Sequence, residues 1–201
     1  SAPPPADRAR LCDDRPVADS LAGKLLLASL RITEPTFFRT VVFVCAHDAE
    51  GALGVVINRP LKGEAVARHL PRFEPFASEP AVLFSGGPVE TAAALVLGRW
   101  KPILDIPTPN LIVGRTGLLD LSRAIEELSG SLAEVRLYAG YAGWTGGQLE
   151  AELEQESWFV VDAMEDDIFS ARPETLWRDV LQRQPGKLAM FAYAPNDPGV
   201  N

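Results

Sequence analysis

Short apolar runs, closed by Gly, Pro or an acidic residue, punctuate the chain. "GKLLLASL" (23–30) has the length and composition of a buried strand. After a turn at Pro35 the β-branched run from Thr40 to Ala46 predicts a second strand, and "ALGVVINRP" (52–60) a third that ends at Pro60. The brief "HDAEG" link between the last two reads as a β-hairpin connection. Further strands are expected over 81–89, 92–100, 111–115, 133–140 and 157–163.

Helical spacing of apolar positions predicts a short helix over 63–70, an amphipathic helix over 117–130 closed by Gly130, a helix over 147–156 and another over 173–183. Pro173 sits in the first turn of the last one, where its missing N–H costs nothing. Residues 71–80 hold three prolines and read as a loop, 101–110 as irregular and 193–201 as coil. Strands and helices mix without strict βαβ alternation, which predicts an α+β fold.

The 201 residues suit one domain, and 47% apolar residues can bury a sizeable core. The proline-rich, charged start predicts a flexible tail over 1–15, with a single domain over 16–201. No apolar run approaches the roughly 18 residues of a membrane span, and no apolar signal segment opens the chain. Cys12 and Cys45 are too few for a disulfide framework in a domain of this size, so both are expected to be reduced and the protein cytoplasmic. Net charge is −8, from 19 basic and 27 acidic residues, with no run of Lys and Arg. That balance argues against binding to nucleic acid or to anionic membranes.

The glycine-rich "YAGYAGWTGGQLE" (138–150) invites a phosphate-loop reading, but no lysine follows. Glu150, Glu152, Glu154 and Glu156 load the next helix with negative charge instead. Close backbone packing at Gly140 and Gly143, with Tyr141 and Trp144 as anchors, is the reading that fits, and Trp144 could still floor a pocket. "FSGGPV" (84–89) is another strand-to-glycine turn; Ser85 lacks the nucleophile-elbow pattern. "INRP" (57–60) places Asn58 and Arg59 at a strand end, where an arginine can grip a carboxylate with two hydrogen bonds or simply face solvent. His47 and His69 are the two histidines, with neither H-E-x-x-H nor C-x-x-C about them, so no metal site and no cofactor is expected. His47 is readable as a general base or, more simply, as a hydrogen-bonded histidine at a strand end. Phe37, Phe38 and Cys45 read as core.

Taken in order, "GKLLLASL", "FFRTVVFVCAHDAEGALGVVINRPL", "FSGGPV" and "GYAGWTGGQLEAEL…W" resemble the AlgH/YqgE family of bacterial proteins over roughly residues 21–183. Family members usually carry serine where Thr40 stands, and often a histidine in the region of Gly98. The "ASLRITEPTFFRT" stretch resembles an actinobacterial branch. The resemblance implies a mixed, partly barrel-like β-sheet flanked by helices, in a largely uncharacterised family with one branch described as a transcriptional regulator.

The functional expectation is a binding or regulatory module without a complete catalytic constellation, its partner an unidentified small molecule or protein. Its expected surface gathers His47, Asn58, Arg59, Gly86, Gly87, Tyr141, Gly143, Trp144 and Gln148. The alternatives are an enzyme with a pocket near His47 and Arg59, and a transcriptional regulator.

Overall fold

The computed structural model describes residues 20–102 and 111–195. The expected N-terminal tail, Cys12, most of the irregular stretch 101–110 and the end of the C-terminal coil lie outside the described residues.

Strands β1 (Lys24–Ala28), β2 (Val41–Asp48) and β3 (Gly51–Val56) pair antiparallel in sequence order, with β2 and β3 joined by a tight hairpin in which Asp48 faces Gly51. β4 (Pro60–Ala65) runs beside β5 (Val82–Ser85). Between them lie the single helical turn α1 (Val66–His69) and a 3-10 turn over Pro71–Phe76. β6 (Val89–Trp100), β7 (Leu111–Val113) and β8 (Thr116–Leu118) follow, then α2 (Ile125–Ser129) and the long β9 (Leu132–Thr145). α3 (Gln148–Glu154), β10 (Trp158–Asp162), α4 (Glu165–Ile168) and α5 (Leu176–Gln182) lead to a final 3-10 segment, Gly186–Tyr193.

The strands form one curled antiparallel sheet, half a barrel, in the order β10-β1-β2-β3-β9-β6-β8-β7. β5 joins β9 in parallel, which makes the sheet mixed. The fold is α+β in a single domain.

Both faces of the sheet are covered, and β2 shows why its sequence lacks strict alternation. Val41, Phe43 and Cys45 enter a core beneath α5, which contributes Trp177, Val180 and Leu181. Val42 and Val44 point the other way, into a core holding Trp144, Trp158 and Leu149 of α3. A third core joins β6 and β9 to α1 and α2 through Val96, Leu137, Val66 and Leu128.

Several elements differ from their sequence pattern. The expected strand 52–60 breaks after Val56; Ile57 keeps one backbone hydrogen bond, to the Val41 carbonyl at 2.9 Å, and from Pro60 the chain pairs with β5 instead, opposite Phe84. The expected helix 63–70 keeps only its last turn, because its first residues complete β4. The expected helix 117–130 divides into β8 and the short α2. Asp120 accepts hydrogen bonds from the backbone N–H and the hydroxyl of Ser122, a local turn that competes with the helix.

The glycine-rich segment is mostly strand. β9 extends through Gly140, Tyr141, Gly143 and Trp144 to Thr145. Gly140, at φ 70°, lies at the shift of register where β9 meets β6. A Cβ at Gly140 would lie 2.6 Å from the Gly87 carbonyl, so the two glycine segments touch backbone to backbone.

Candidate functional site

Where β3 ends, the chain is fastened by side chains. Buried Asn58 accepts the Val41 N–H through Oδ1 at 2.9 Å and donates Nδ2–H to the Arg39 carbonyl at 2.9 Å. That double bond fixes the segment entering β2, including Arg39 at φ 53°. The Arg59 guanidinium donates to the Phe38 carbonyl, and the Arg59 carbonyl accepts Ser85 N–H at 2.9 Å. Ile57–Arg59 therefore ties the loop 35–40 to the Ser85–Pro88 turn.

These segments and α5 enclose a cavity of about 890 Å³. One wall is Asn58 to Lys62; the Ser85–Pro88 turn and Thr91 continue it. Another wall is Glu174 and Thr175, from the 3-10 turn Pro173–Thr175, with Trp177 and Arg178 from the start of α5. Pro35, Thr36, Phe38 and Arg39 close the side. The volume lies within the range of about 300–1,000 Å³ usual for small-molecule sites.

Charge is the distinctive property of the lining. Among the described residues, Arg39, Arg59, Lys62 and Arg178 supply four cations to the lining and Glu174 one carboxylate, in a chain whose net charge is −8. The Arg39 guanidinium sits 4.8 Å from the ring centre of Trp177 and 5.4 Å from that of Phe38, and donates to the carbonyls of Ala194, at 2.8 Å, and Pro195. Burial, and then the neighbouring charge of Arg178, lower its pKa. Burial alone lowers that of Arg59. Arginine begins so high that both stay cationic at neutral pH.

The expected site residues divide into two groups. Asn58, Arg59 and Gly87 line the cavity, with Gly86 adjoining them. Gly87 belongs there for steric reasons: at φ 152° a Cβ would collide with the Tyr141 backbone. Tyr141 backs the turn without lining the cavity.

The second group lies elsewhere. His47 accepts the Leu21 N–H at Nδ1, 3.0 Å away, and its Nε2 lies 2.7 Å from Glu150 Oε1. This pairing sets the tautomer: Nδ1 is the acceptor and Nε2 carries the proton. An N–H of the Glu150 backbone, with the His47 hydrogen bond, holds the Glu150 carboxyl below its ordinary range. Trp144 Nε1 donates to Glu152 Oε2 at 2.9 Å, and Gln148 accepts the Thr145 N–H and donates to Glu152 Oε1. Gly143 pairs with Leu53 within the sheet. These residues form a hydrogen-bonded junction of α3 with the sheet, apart from the cavity.

Sequence reasoning missed Arg39, Lys62 and Arg178, and placed Phe38 wholly in the core. The four cations come from three separate segments of the chain, so no basic run announces them. Arginine beside tryptophan in "LWRDV" was the available signal. Among the described residues, no group of three or more His, Cys, Asp and Glu side chains is placed to hold a metal ion, and no helix is long and apolar enough to cross a membrane.

The profile of a family described as AlgH-like matches residues 25–189. The chain belongs to the AlgH-like family. A UPF0301 protein of Nocardia farcinica is 45% identical over 177 residues, covering 87% of this chain and 82% of its own. A UPF0301 protein of Streptomyces coelicolor is 42% identical, covering 90% and 96%. Among solved structures, a Corynebacterium diphtheriae protein superposes with a TM-score of 0.79 at 27% identity, over 85% of this chain and 90% of that one. The AlgH protein of Pseudomonas aeruginosa superposes with a TM-score of 0.63 at 29% identity, over 89% and 96%. In this AlgH-like chain, the "INRP" and "GGPV" segments both contribute to the cavity, through Asn58, Arg59, Pro60, Gly87 and Pro88.

Proposed function

We propose that this AlgH-like protein is a binding module for an anionic small molecule, held in the cavity between the Asn58–Lys62 wall and α5. The observation that carries the reading is the placement of Arg59 and Lys62 on one wall of the cavity of an acidic chain. Such a site concentrates field lines and draws anions from solution. The hydrogen bonds of Asn58 and Arg59 hold the wall in place before a ligand arrives, so little ordering remains to oppose binding.

Two further features favour binding over the alternatives. His47, the general base of the enzyme reading, is engaged with Leu21 and Glu150 away from the cavity. For the regulator reading, no α-helix among the described residues exceeds seven residues, and the clustered cations line a concavity, a poor match to a convex major-groove reader. We place the module in the cytoplasm, as its reduced-cysteine chemistry suggests.

Calorimetric titration with inorganic pyrophosphate at low ionic strength tests the proposal. Saturable binding is expected, and Arg59→Gln should weaken it about 10- to 100-fold, the value of about 1.5–3 kcal/mol for a hydrogen bond to a charged group. Absence of binding, or an Arg59→Gln variant that binds as well as the parent, would reject it.

A further inference from the structure

We infer that the ligand is a phosphorylated, hydroxyl-rich small molecule of the sugar-phosphate class. The inference rests on the anion-binding reading above and concerns the rest of the ligand.

Arg59 and Lys62 lie within one short stretch of wall, and pair a planar guanidinium with a compact ammonium. That combination suits phosphate, which takes both a forked donor and a point charge. The remaining polar lining is of another kind. Thr36, Ser85 and Thr91 present hydroxyls, which both donate and accept, whereas the Thr175 hydroxyl donates to Asp179 Oδ2 at 2.7 Å and is left to accept. Glu174, beside Thr175, presents a carboxylate that only accepts. It repels a second anionic group and favours O–H donors, so the part of the ligand lying there is a neutral polyol.

The aromatic lining is already engaged. Trp177 is 3% exposed, its Nε1 donates to the Ala28 carbonyl at 2.9 Å, and Arg39 lies over its ring. Arg39 also lies over Phe38, the other aromatic of the lining. A nucleobase ordinarily gains affinity by stacking on such a ring. With both rings facing Arg39, the cavity offers cations and hydroxyls and withholds a stacking platform.

The test compares inorganic phosphate, ribose-5-phosphate, AMP, ribose and citrate by calorimetry on the full chain at low ionic strength. Ribose-5-phosphate should bind about tenfold or more tighter than inorganic phosphate, AMP no tighter than ribose-5-phosphate, and ribose not measurably. Glu174→Ala and Thr91→Val, both at exposed positions, should shrink the advantage of ribose-5-phosphate while leaving phosphate binding intact or tighter. Lys62→Gln, also exposed, should weaken every phosphate compound by a similar factor. Equal affinity for phosphate and ribose-5-phosphate would overturn the sugar-phosphate assignment while leaving the anion reading standing. AMP binding well above ribose-5-phosphate would show a base platform, and tighter citrate a polycarboxylate site; either overturns the class. Failure of every anion to bind would remove both readings together.

Discussion

Asn58 shows how much one side chain does here. Its amide bridges Val41 N–H and the Arg39 carbonyl from a position 7% exposed. Asn58→Ala removes both partners at once and strands two buried backbone groups, each worth about 1–3 kcal/mol. We expect Asn58→Ala to cost about 2–4 kcal/mol in denaturant unfolding and to abolish anion binding, because Arg39 loses its fixed backbone; a cost below about 0.5 kcal/mol would contradict that role. Cys45 makes a separate prediction. Burial pushes its thiol up to about 12 from an ordinary 9.0. Between those values the unfolded chain carries a thiolate and the folded chain does not, so this contribution to stability declines as pH rises through that window. At pH 8 the folded Cys12→Ser variant should not react with a disulfide exchange reagent until denaturant is added; prompt reaction would show an accessible Cys45.

At the scale of elements, one carboxylate of α3 holds two tryptophans of the sheet. Glu152 Oε2 accepts the indole N–H of Trp144 at 2.9 Å and of Trp158 at 2.8 Å. Both rings are buried and meet edge to face, 6.1 Å between centres. Glu152→Ala leaves two buried donors without an acceptor. It should destabilise the protein by about 2–4 kcal/mol, read as a lower denaturant midpoint, and blue-shift or redden tryptophan emission as the junction loosens. An unchanged midpoint would mean that water replaces the carboxylate freely. The acidic run Glu150 to Glu156 was legible in the sequence as evidence against a phosphate loop, and the structure gives three of its members partners within the chain: Glu150 holds His47, Glu152 the two tryptophans and Glu156 Arg31. What the sequence hid was that Gly140–Thr145 is strand. A glycine at φ 70° within a ladder looks, without its partner strand, the same as a glycine in a loop.

For the whole molecule, periodicity revealed most strands because β-branched and aromatic runs need little context. The α+β class followed from their mixture with helices. The 117–130 segment was misleading because apolar spacing over Leu118, Leu121, Ile125 and Leu128 fits a helix, yet β8 and the Asp120 turn claim its first half. The cavity was legible only in part. Asn58, Arg59 and the Gly86–Gly87 turn stood out as polar or glycine-rich strand ends, whereas Arg39 and Arg178 become neighbours only when α5 folds over β2. Clustering four cations in an acidic protein also predicts how binding responds to salt. Affinity for a multivalent anion should fall steadily between low and physiological ionic strength, as counterions screen charges over about 8–10 Å.

Where an anion binds distinguishes the cavity from the His47–Glu150 junction. Amide chemical shifts of the isotope-labelled protein should be followed as inorganic pyrophosphate is added. Saturable shifts are expected at Asn58, Arg59, Gly87, Thr91 and Thr175, with His47, Gly147 and Glu150 unmoved. Shifts confined to the His47–Glu150 junction, or none at all, would contradict binding in the cavity.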